Sequence, residues 1–337
     1  MLNKLTALLG LILVTGVCSA FSQDKAADET IKIETRLVSV PTIVSDRNGR
    51  YIPNLTKADF IVLQDGVQQN IEFFAATEEP INVALLIDTS QSTRPVLDDI
   101  KDSAKAFIKL LRLHDRAIIV SFDYDVHILS SLTADQEQLK RAINEAEIPR
   151  GIVGTTLRDA AYQTINQTFA GIKGRKAVIV LTDGKDAGSR ISKADLLYSL
   201  EESDTLVYTV MFKTDERNAL RQFPFPGGGR GGIYGGRFPP QRRENQRRIE
   251  RIERMNQDAE AFLREMSDTT AGRFFTSKDG KIKNTFNSIV EELRFQYRLG
   301  FYPPEEEGES IFHSLKVKVS RFDTVVRSRT GYRRQTK

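Results

Sequence analysis

The chain has 337 residues, 40% of them hydrophobic and 28% charged, with 49 Lys and Arg against 45 Asp and Glu for a formal net charge of +4. Such a mixture predicts a soluble globular chain of about two domains and excludes one dominated by disorder or by membrane spans. A single cysteine, Cys18, excludes a disulfide framework and any site built from several thiolates.

The opening stretch MLNKLTALLGLILVTGVCSAFSQ sets Lys4 ahead of an apolar run over 5–17 and small residues ending at Ala20 or Ser22. That is the pattern of a signal peptide, here residues 1–22, and it predicts an exported protein, periplasmic or extracellular. The run is too short for a hydrocarbon layer of about 30 Å. Val17 does not fit a lipoprotein processing site, where a small residue would precede the cysteine. No second long apolar stretch follows, so no stable membrane span is expected once the leader is removed.

Residues 37–74 read as β structure: LVSVPTIV, a DRNG turn, then FIVLQDGVQQNIEFF, in which Asp65-Gly66 marks a hairpin. From Ile81 short continuous apolar strands alternate with helices. NVALLID leads to a helix over 94–112, and RAIIVSF to a strand over 126–129. Helices follow over 135–146 and 157–169, then the strand KAVIVLT, a helix over 192–201 and the strand TLVYTVMF. Buried strands interleaved with helices predict a doubly wound, mostly parallel α/β sheet covered on both faces.

Beyond Phe212 the pattern breaks. Residues 227–236 hold seven glycines and 241–254 are rich in arginine. From 213 to 254 there are 11 Lys and Arg against 5 Asp and Glu, a net of +6, so the rest of the chain nets −2. This composition reads first as a solvated loop followed by a charged helix. Its functional alternative is a contact surface for polyanions, without the interleaved aromatics of a nucleic-acid groove. Helices resume over 257–268 and 282–294, with the strand RFFT at 273–276 between them. The tail returns to β with FQYRLGFY, SLKVKVS and TVVRSRTGY, in which Leu315, Val317 and Val319 alternate with Lys316 and Lys318. Neither terminal β portion has enough strands to stand alone. Residues 30–79 and 296–337 are therefore expected to pair into one β-sandwich, with an α/β domain over 80–295, including a 213–256 insert, set between them.

Ligand sites in open α/β sheets lie beyond the carboxyl ends of the strands. There the chain carries Asp88, Ser90 and Ser92 in DTSQS, Thr155 after Gly154 in GTTLRDA, and Asp183 in TDG. Two carboxylates and three hydroxyls are all oxygen donors and suit a hard divalent cation. An incomplete protein shell finished by water suits Mg²⁺, with Mn²⁺ or Ca²⁺ next. Helix capping would account for Ser92 or Thr93, and for Thr155, singly, and an ordinary Asp-Gly turn for Asp183, but neither accounts for the whole set.

An enzyme is the rival class. An aspartyl phosphatase would need a second carboxylate two residues after Asp88, where Ser90 stands. His114, His127 and His313 form no ligand pair, and no nucleophile-elbow, Walker or Rossmann fingerprint occurs. No catalytic residue is assigned; a metal-dependent hydrolase and a polyanion-binding scaffold stand as the alternatives. Asp123 and Asp125 in SFDYDV read as a solvated turn rather than a second cation site. The sequon at Asn166 falls on an expected helix and carries no weight.

Taken in order, D-x-S-x-S, a Thr after Gly, and T-D-G at the end of a later strand resemble the von Willebrand factor type A domain and its metal-ion-dependent adhesion site, over about residues 80–294. The resemblance implies that Ser90, Ser92 and Thr155 bind the cation directly or through water. It also implies that Asp88 and Asp183 neutralise it and that a carboxylate on a protein partner completes the shell. On that reading the chain is an adhesion or protein-interaction module and not an enzyme. FIVLQDGVQQNIEFF, YRLGFYPP and SRTGY resemble the flanks of a bacterial exported family described as von Willebrand factor A-related, in which β sequence encloses such a domain.

Overall fold

The computed structural model describes residues 37–76, 79–151, 154–214, 241–277, 282–304 and 312–333; the expected leader and most of the Gly/Arg-rich insert lie outside them. The chain opens with β1 (Val38–Asp46), β2 (Phe60–Gln64), β3 (Val67–Gln69) and β4 (Phe73–Ala76). It then enters an α/β layer: β5 (Ile81–Asp88), α1 (Leu97–Ile108), β6 (Arg116–Phe122), β7 (Val126–Ile128), α2 (Gln136–Glu145), α3 (Leu157–Gln163), β8 (Arg175–Thr182), α4 (Lys193–Glu202) and β9 (Leu206–Phe212). The layer continues with α5 (Gln241–Thr269), β10 (Phe274–Ser277) and α6 (Ile282–Arg294). The chain closes with β11 (Gln296–Phe301), β12 (Phe312–Val319), β13 (Thr324–Ser328) and β14 (Gly331–Arg333).

The α/β layer holds a six-stranded sheet in the order β10-β9-β8-β5-β6-β7. All neighbours are parallel except β6 and β7. Successive side chains of a strand point to opposite faces, and here both faces are dry. Val83, Leu85 and Ile87 of β5 pack into one core with Phe107 of α1, Ile143 of α2 and Phe286 of α6. Ala84 and Leu86 pack into the other, with Leu157 of α3, Leu196 of α4 and Leu263 of α5. This is why NVALLI is apolar without alternation. The chain steps from β5 to β6 on one side and reaches β8 on the other, so its winding reverses between β5 and β8, where crevices form in doubly wound sheets.

The terminal strands form two antiparallel four-stranded sheets, β13-β1-β11-β4 and β14-β12-β2-β3. Val40, Val44, Leu299 and Phe301 from the first meet Phe60, Val62, Leu315 and Val317 from the second in one shared core. Alternation along β12 is nearly strict, with His313, Leu315 and Val317 buried and Phe312, Ser314, Lys316 and Lys318 exposed. The β2–β3 hairpin turns through Asp65 and Gly66, whose φ angles of 49° and 84° are the left-handed pair a two-residue turn requires. The fold is thus a von Willebrand factor A-like α/β layer with antiparallel sheets built from the two ends of the described chain. A buried polar junction ties the parts. Glu292 of α6, fully buried, accepts from Arg273 Nη1 at 3.1 Å and from Arg327 of β13.

Three helices depart from expectation. The helix expected over 94–112 is a 3₁₀ turn, Gln91–Val96, followed by α1, because Pro95 has no N–H to give an α-helical ladder. The one expected over 157–169 passes from α3 into a π-turn, Thr164–Thr168, where the Thr164 hydroxyl bonds the Ala160 carbonyl at 2.7 Å. The charged segment from 241 joins the helix expected over 257–268 to make α5 a single element. It contains no Gly or Pro after 241 and its Arg and Glu are good helix formers, while Ala259, Leu263 and Met266 supply the buried stripe.

Candidate metal centre at the rim of the sheet

Asp88 ends β5 and Thr182 ends β8. The register that sets Ile87 opposite Leu181 leaves these two residues adjacent at the strand ends. The Thr182 hydroxyl donates to Asp88 Oδ2 at 2.5 Å and accepts the Gly184 N–H at 2.9 Å. Asp88 Oδ1 accepts the Ser90 N–H at 2.9 Å. Thr93 pins the turn by bonding the carbonyls of Asp88 at 3.0 Å and Ser90 at 2.9 Å. The Ser90 and Ser92 hydroxyls lie 3.1 Å apart, and Ser90 is buried while Ser92 is half-buried.

Asp183 is also buried. Its Oδ1 accepts the Lys185 N–H at 3.2 Å and its Oδ2 the Lys185 ammonium at 2.9 Å. Burial first, and then the charge of nearby Asp183, push the Asp88 carboxyl up to about 7. Lys185 is paired with Asp183, and the hydrogen bonds to Asp88 come from Ser90 and Thr182, so no charge-neutralising bond to Asp88 is seen among the described residues.

Thr155 reaches the same rim through backbone bonds. Its carbonyl accepts the N–H groups of Ala187 at 3.1 Å and Gly188 at 3.0 Å, which ties its loop to the one that follows Asp183. Next door, Thr156 gives its N–H and hydroxyl to the Asp123 carbonyl at 2.8 and 3.0 Å. Asp123 in turn accepts from the Thr89 hydroxyl at 3.2 Å. The three loops are thus knitted into one rim, with Asp88 and Asp183 close enough to repel and Ser90 beside Ser92.

The competing structural readings divide. Ser90 stands at the N-cap of the 3₁₀ turn but its side chain makes no cap bond. Thr156, not Thr155, stands at the N-cap of α3, and also without a cap bond; the Arg158 N–H goes to Asp186 Oδ2 at 2.9 Å instead. Capping therefore does not explain these hydroxyls. Asp183 does make the local turn expected of Asp-Gly, since it accepts the Lys185 N–H. Gly184 has φ +84°, and a Cβ there would meet Leu263 Cδ1 at 3.0 Å and Ala259 Cβ at 3.1 Å, so α5 closes over the turn.

The expectation of a solvated turn at Asp123 and Asp125 is corrected for Asp123, which is buried and links β5, β6 and the Thr155 loop. Sequence reading also missed Thr182 and Lys185, and took Thr93 only as a helix cap, whereas its hydroxyl bonds the carbonyls of Asp88 and Ser90. The hydroxyl before Asp183 and the lysine two residues after it were the visible signals. Of the histidines, His127 lies 3.4 Å from Asp123 Oδ2, and buried His313 bonds Asp65 Oδ2 at 2.8 Å. Among the described residues no group of three or more His, Cys, Asp or Glu could hold a metal. The set at the rim is instead two carboxylates with hydroxyls. Those donors fit a hard divalent ion, because two buried facing carboxylates need positive charge between them if both are to ionise.

A doubly wound α/β layer with acidic and hydroxyl side chains at its switch point fits a von Willebrand factor A-like fold. Residues 83–185, under a third of the chain, match the family model of the von Willebrand factor type A domain. No curated protein matches the sequence. Among solved structures the chain is similar to an aerotolerance-related membrane protein from Bacteroides fragilis, at 17% identity over 64% of this chain and 98% of that one, with a TM-score of 0.42. It is also similar to proximal thread matrix protein 1 from the mussel byssus, a structure with a zinc occupied MIDAS motif, at 14% identity, 69% and 50% coverage and a TM-score of 0.47. A von Willebrand factor type A protein from Catenulispora acidiphila shares 13% identity over 82% of this chain and 72% of that one, with a TM-score of 0.46. These likenesses concern the fold alone. Among the described residues no helix is long and apolar enough to cross a membrane.

Proposed function

We propose that the chain is an exported, metal-dependent protein-interaction module, without catalytic activity, that binds an acidic group of a partner through a divalent cation at the β5–β8 rim. The observation that carries the reading is the buried pair Asp88 and Asp183, one of them with no cationic partner among the described residues. Asp88, Ser90, Ser92, Thr155 and Asp183 would hold the ion, Mg²⁺ first. Bound there, the cation supplies a Lewis-acidic position able to take a further anionic oxygen. The chain's own part is to fix the donors. Thr182 and the Ser90 N–H orient the Asp88 carboxylate and Thr93 holds the turn that presents Ser90, while the Lys185 ammonium on Asp183 is the charge an ion would have to displace. Two carboxylates do no more than balance a divalent charge, and the protein donors would leave its shell incomplete, so a position remains for a partner's carboxylate.

On this reading residues 1–22 are a cleaved leader, 30–79 and 296–337 the flanking sandwich and 80–295 the binding domain. The test is capture of envelope or secreted proteins by the full chain with Mg²⁺ or with EDTA. Partners retained only with Mg²⁺, and lost in Asp183→Ala, support the proposal; partners indifferent to EDTA refute it. A second reading rests on the net +6 of residues 213–254: a polyanion surface, which predicts metal-insensitive capture of heparin that weakens with salt.

A further inference from the structure

Three turns meet at one end of the paired antiparallel sheets. They are the turn after β1, the short 3₁₀ turn Lys57–Asp59 ahead of β2, and the turn that carries the chain from β12 in one sheet to β13 in the other. Asp46 of β1 lies opposite Thr324 of β13 there, and the Ser320 N–H bonds the Asp59 carbonyl at 2.9 Å. At the tip of the last turn stands Phe322, 93% exposed, more than any other large hydrophobic side chain among the described residues. A ring held in water adds nothing to the core and keeps the full cost of its hydration.

The surround is basic. Over 46–59 and 316–323 six Lys and Arg stand against three Asp, a net of +3. All three acids are committed. Asp46 pairs with Arg50 at 2.7 Å and Asp323 with Arg47 at 2.9 Å, while Asp59 accepts the N–H and hydroxyl of Thr56 at 2.7 and 2.8 Å. Lys57, Lys316, Lys318 and Arg321 are exposed and enter no ion pair among the described residues. Arg321 adjoins the ring, Lys318 ends the wet face of β12 just before it, and Lys57 lies two residues ahead of the Asp59 that holds Ser320.

We propose that this end of the sheets seats the chain on an anionic phospholipid bilayer, with Phe322 entering the boundary between headgroups and acyl chains and Lys57, Lys318 and Arg321 set against the phosphates. The long stems of Lys and Arg let their charges stay among the headgroups while a neighbouring ring goes deeper. Each such cation contributes about fivefold in affinity at an anionic surface. A bilayer is favoured over an acidic protein because the ring stands clear of its neighbours: a rigid partner would have to supply the whole pocket, whereas lipid opens around a wedge. One ring and a few cations make a reversible, salt-sensitive attachment. The surface shares no residue with the acidic rim and does not depend on a metal.

The chain has no tryptophan, so Phe322→Trp places a single fluorescent reporter on the turn, at a position where almost nothing packs. Its emission is followed in the full chain, in EDTA, as vesicles of phosphatidylglycerol mixed with phosphatidylcholine, or of phosphatidylcholine alone, are added. The expected result is a blue shift and protection from acrylamide quenching with the mixed vesicles, reversed at high salt, and neither with phosphatidylcholine alone. Adding Lys318→Glu and Arg321→Glu to the reporter chain should raise the lipid concentration needed for the shift about 25-fold or more; circular dichroism confirms that both variants fold. The readout is local to the turn, so vesicle binding through residues 1–22 or 213–254 does not reproduce this charge dependence. No shift with the mixed vesicles, an equal shift with phosphatidylcholine alone, a response unchanged by the two charge reversals, or an equal shift with soluble polyglutamate, the mark of an acidic protein partner, would each overturn the assignment.

Discussion

Replacing Asp88 with Asn separates a carboxylate kept for a cation from one kept for the fold. The side chain is fully buried, and burial first, then the charge of Asp183, moves it from 3.8 to about 7. The folded chain therefore binds more protons than the unfolded chain between pH ~4 and ~7. The stabilisation from this raised value is fully present below the unfolded value, declines as pH rises through the window and is gone above about 7. At ~1.4 kcal/mol per tenfold in proton activity, the decline is on the order of 4 kcal/mol. Asn keeps the shape and never ionises. In EDTA at pH 8 the variant should be more stable than wild type by up to that amount, less ~1–2 kcal/mol for the weaker bonds to Ser90 and Thr182. With Mg²⁺ the order should reverse, because wild type gains binding free energy and the variant does not. Urea unfolding followed by circular dichroism at pH 5 and pH 8, with EDTA or Mg²⁺, reads all of this. A variant less stable than wild type at pH 8 in EDTA, with the same gain on adding Mg²⁺, would refute the reasoning.

Lys185→Met removes the ammonium 2.9 Å from Asp183 Oδ2. The metal-free chain should lose ~3 kcal/mol, while the Mg²⁺ dissociation constant falls about tenfold because no tethered cation competes; calorimetry showing weaker binding contradicts this. Gly184→Ala forces a side chain onto φ +84° and against Ala259 and Leu263, and should cost about 1–3 kcal/mol in urea unfolding as well as weaken metal binding by moving Asp183. Glu292→Gln leaves Arg273 and Arg327 without their buried carboxylate and should cost ~3–5 kcal/mol with Mg²⁺ affinity unchanged, since this junction is remote from the acidic rim.

Much of the architecture was readable because it follows from local chemistry. Continuous apolar runs such as NVALLID and KAVIVLT announce strands covered on both faces, and the Lys-alternating SLKVKVS announces a strand with one wet face. The residues at the acidic rim were readable for a related reason: a strand end followed by Asp, Ser and Ser, or by Asp-Gly, places those side chains at a rim whatever else the chain does. Helix ends were less legible. Pro95 and the Thr164 hydroxyl act on the backbone over a single turn, below the resolution of hydrophobic periodicity.

What only the tertiary structure decided is which groups face one another. Asp123 looks like any acidic turn residue in SFDYDV, and its burial depends on Thr89, 34 residues earlier, and on the Thr156 loop that follows. Lys185 has the appearance of an ordinary surface lysine until the turn at Gly184 folds its ammonium back onto Asp183. Arg47 and Asp323 lie more than two hundred residues apart, and nothing local in either shows that their turns meet beside Phe322. Sequence by itself determined secondary structure, burial pattern and the loops that carry chemistry, because those depend on neighbours along the chain. Charge pairing, burial of single polar atoms and the meeting of distant turns depend on neighbours in space, and only folding brings those together.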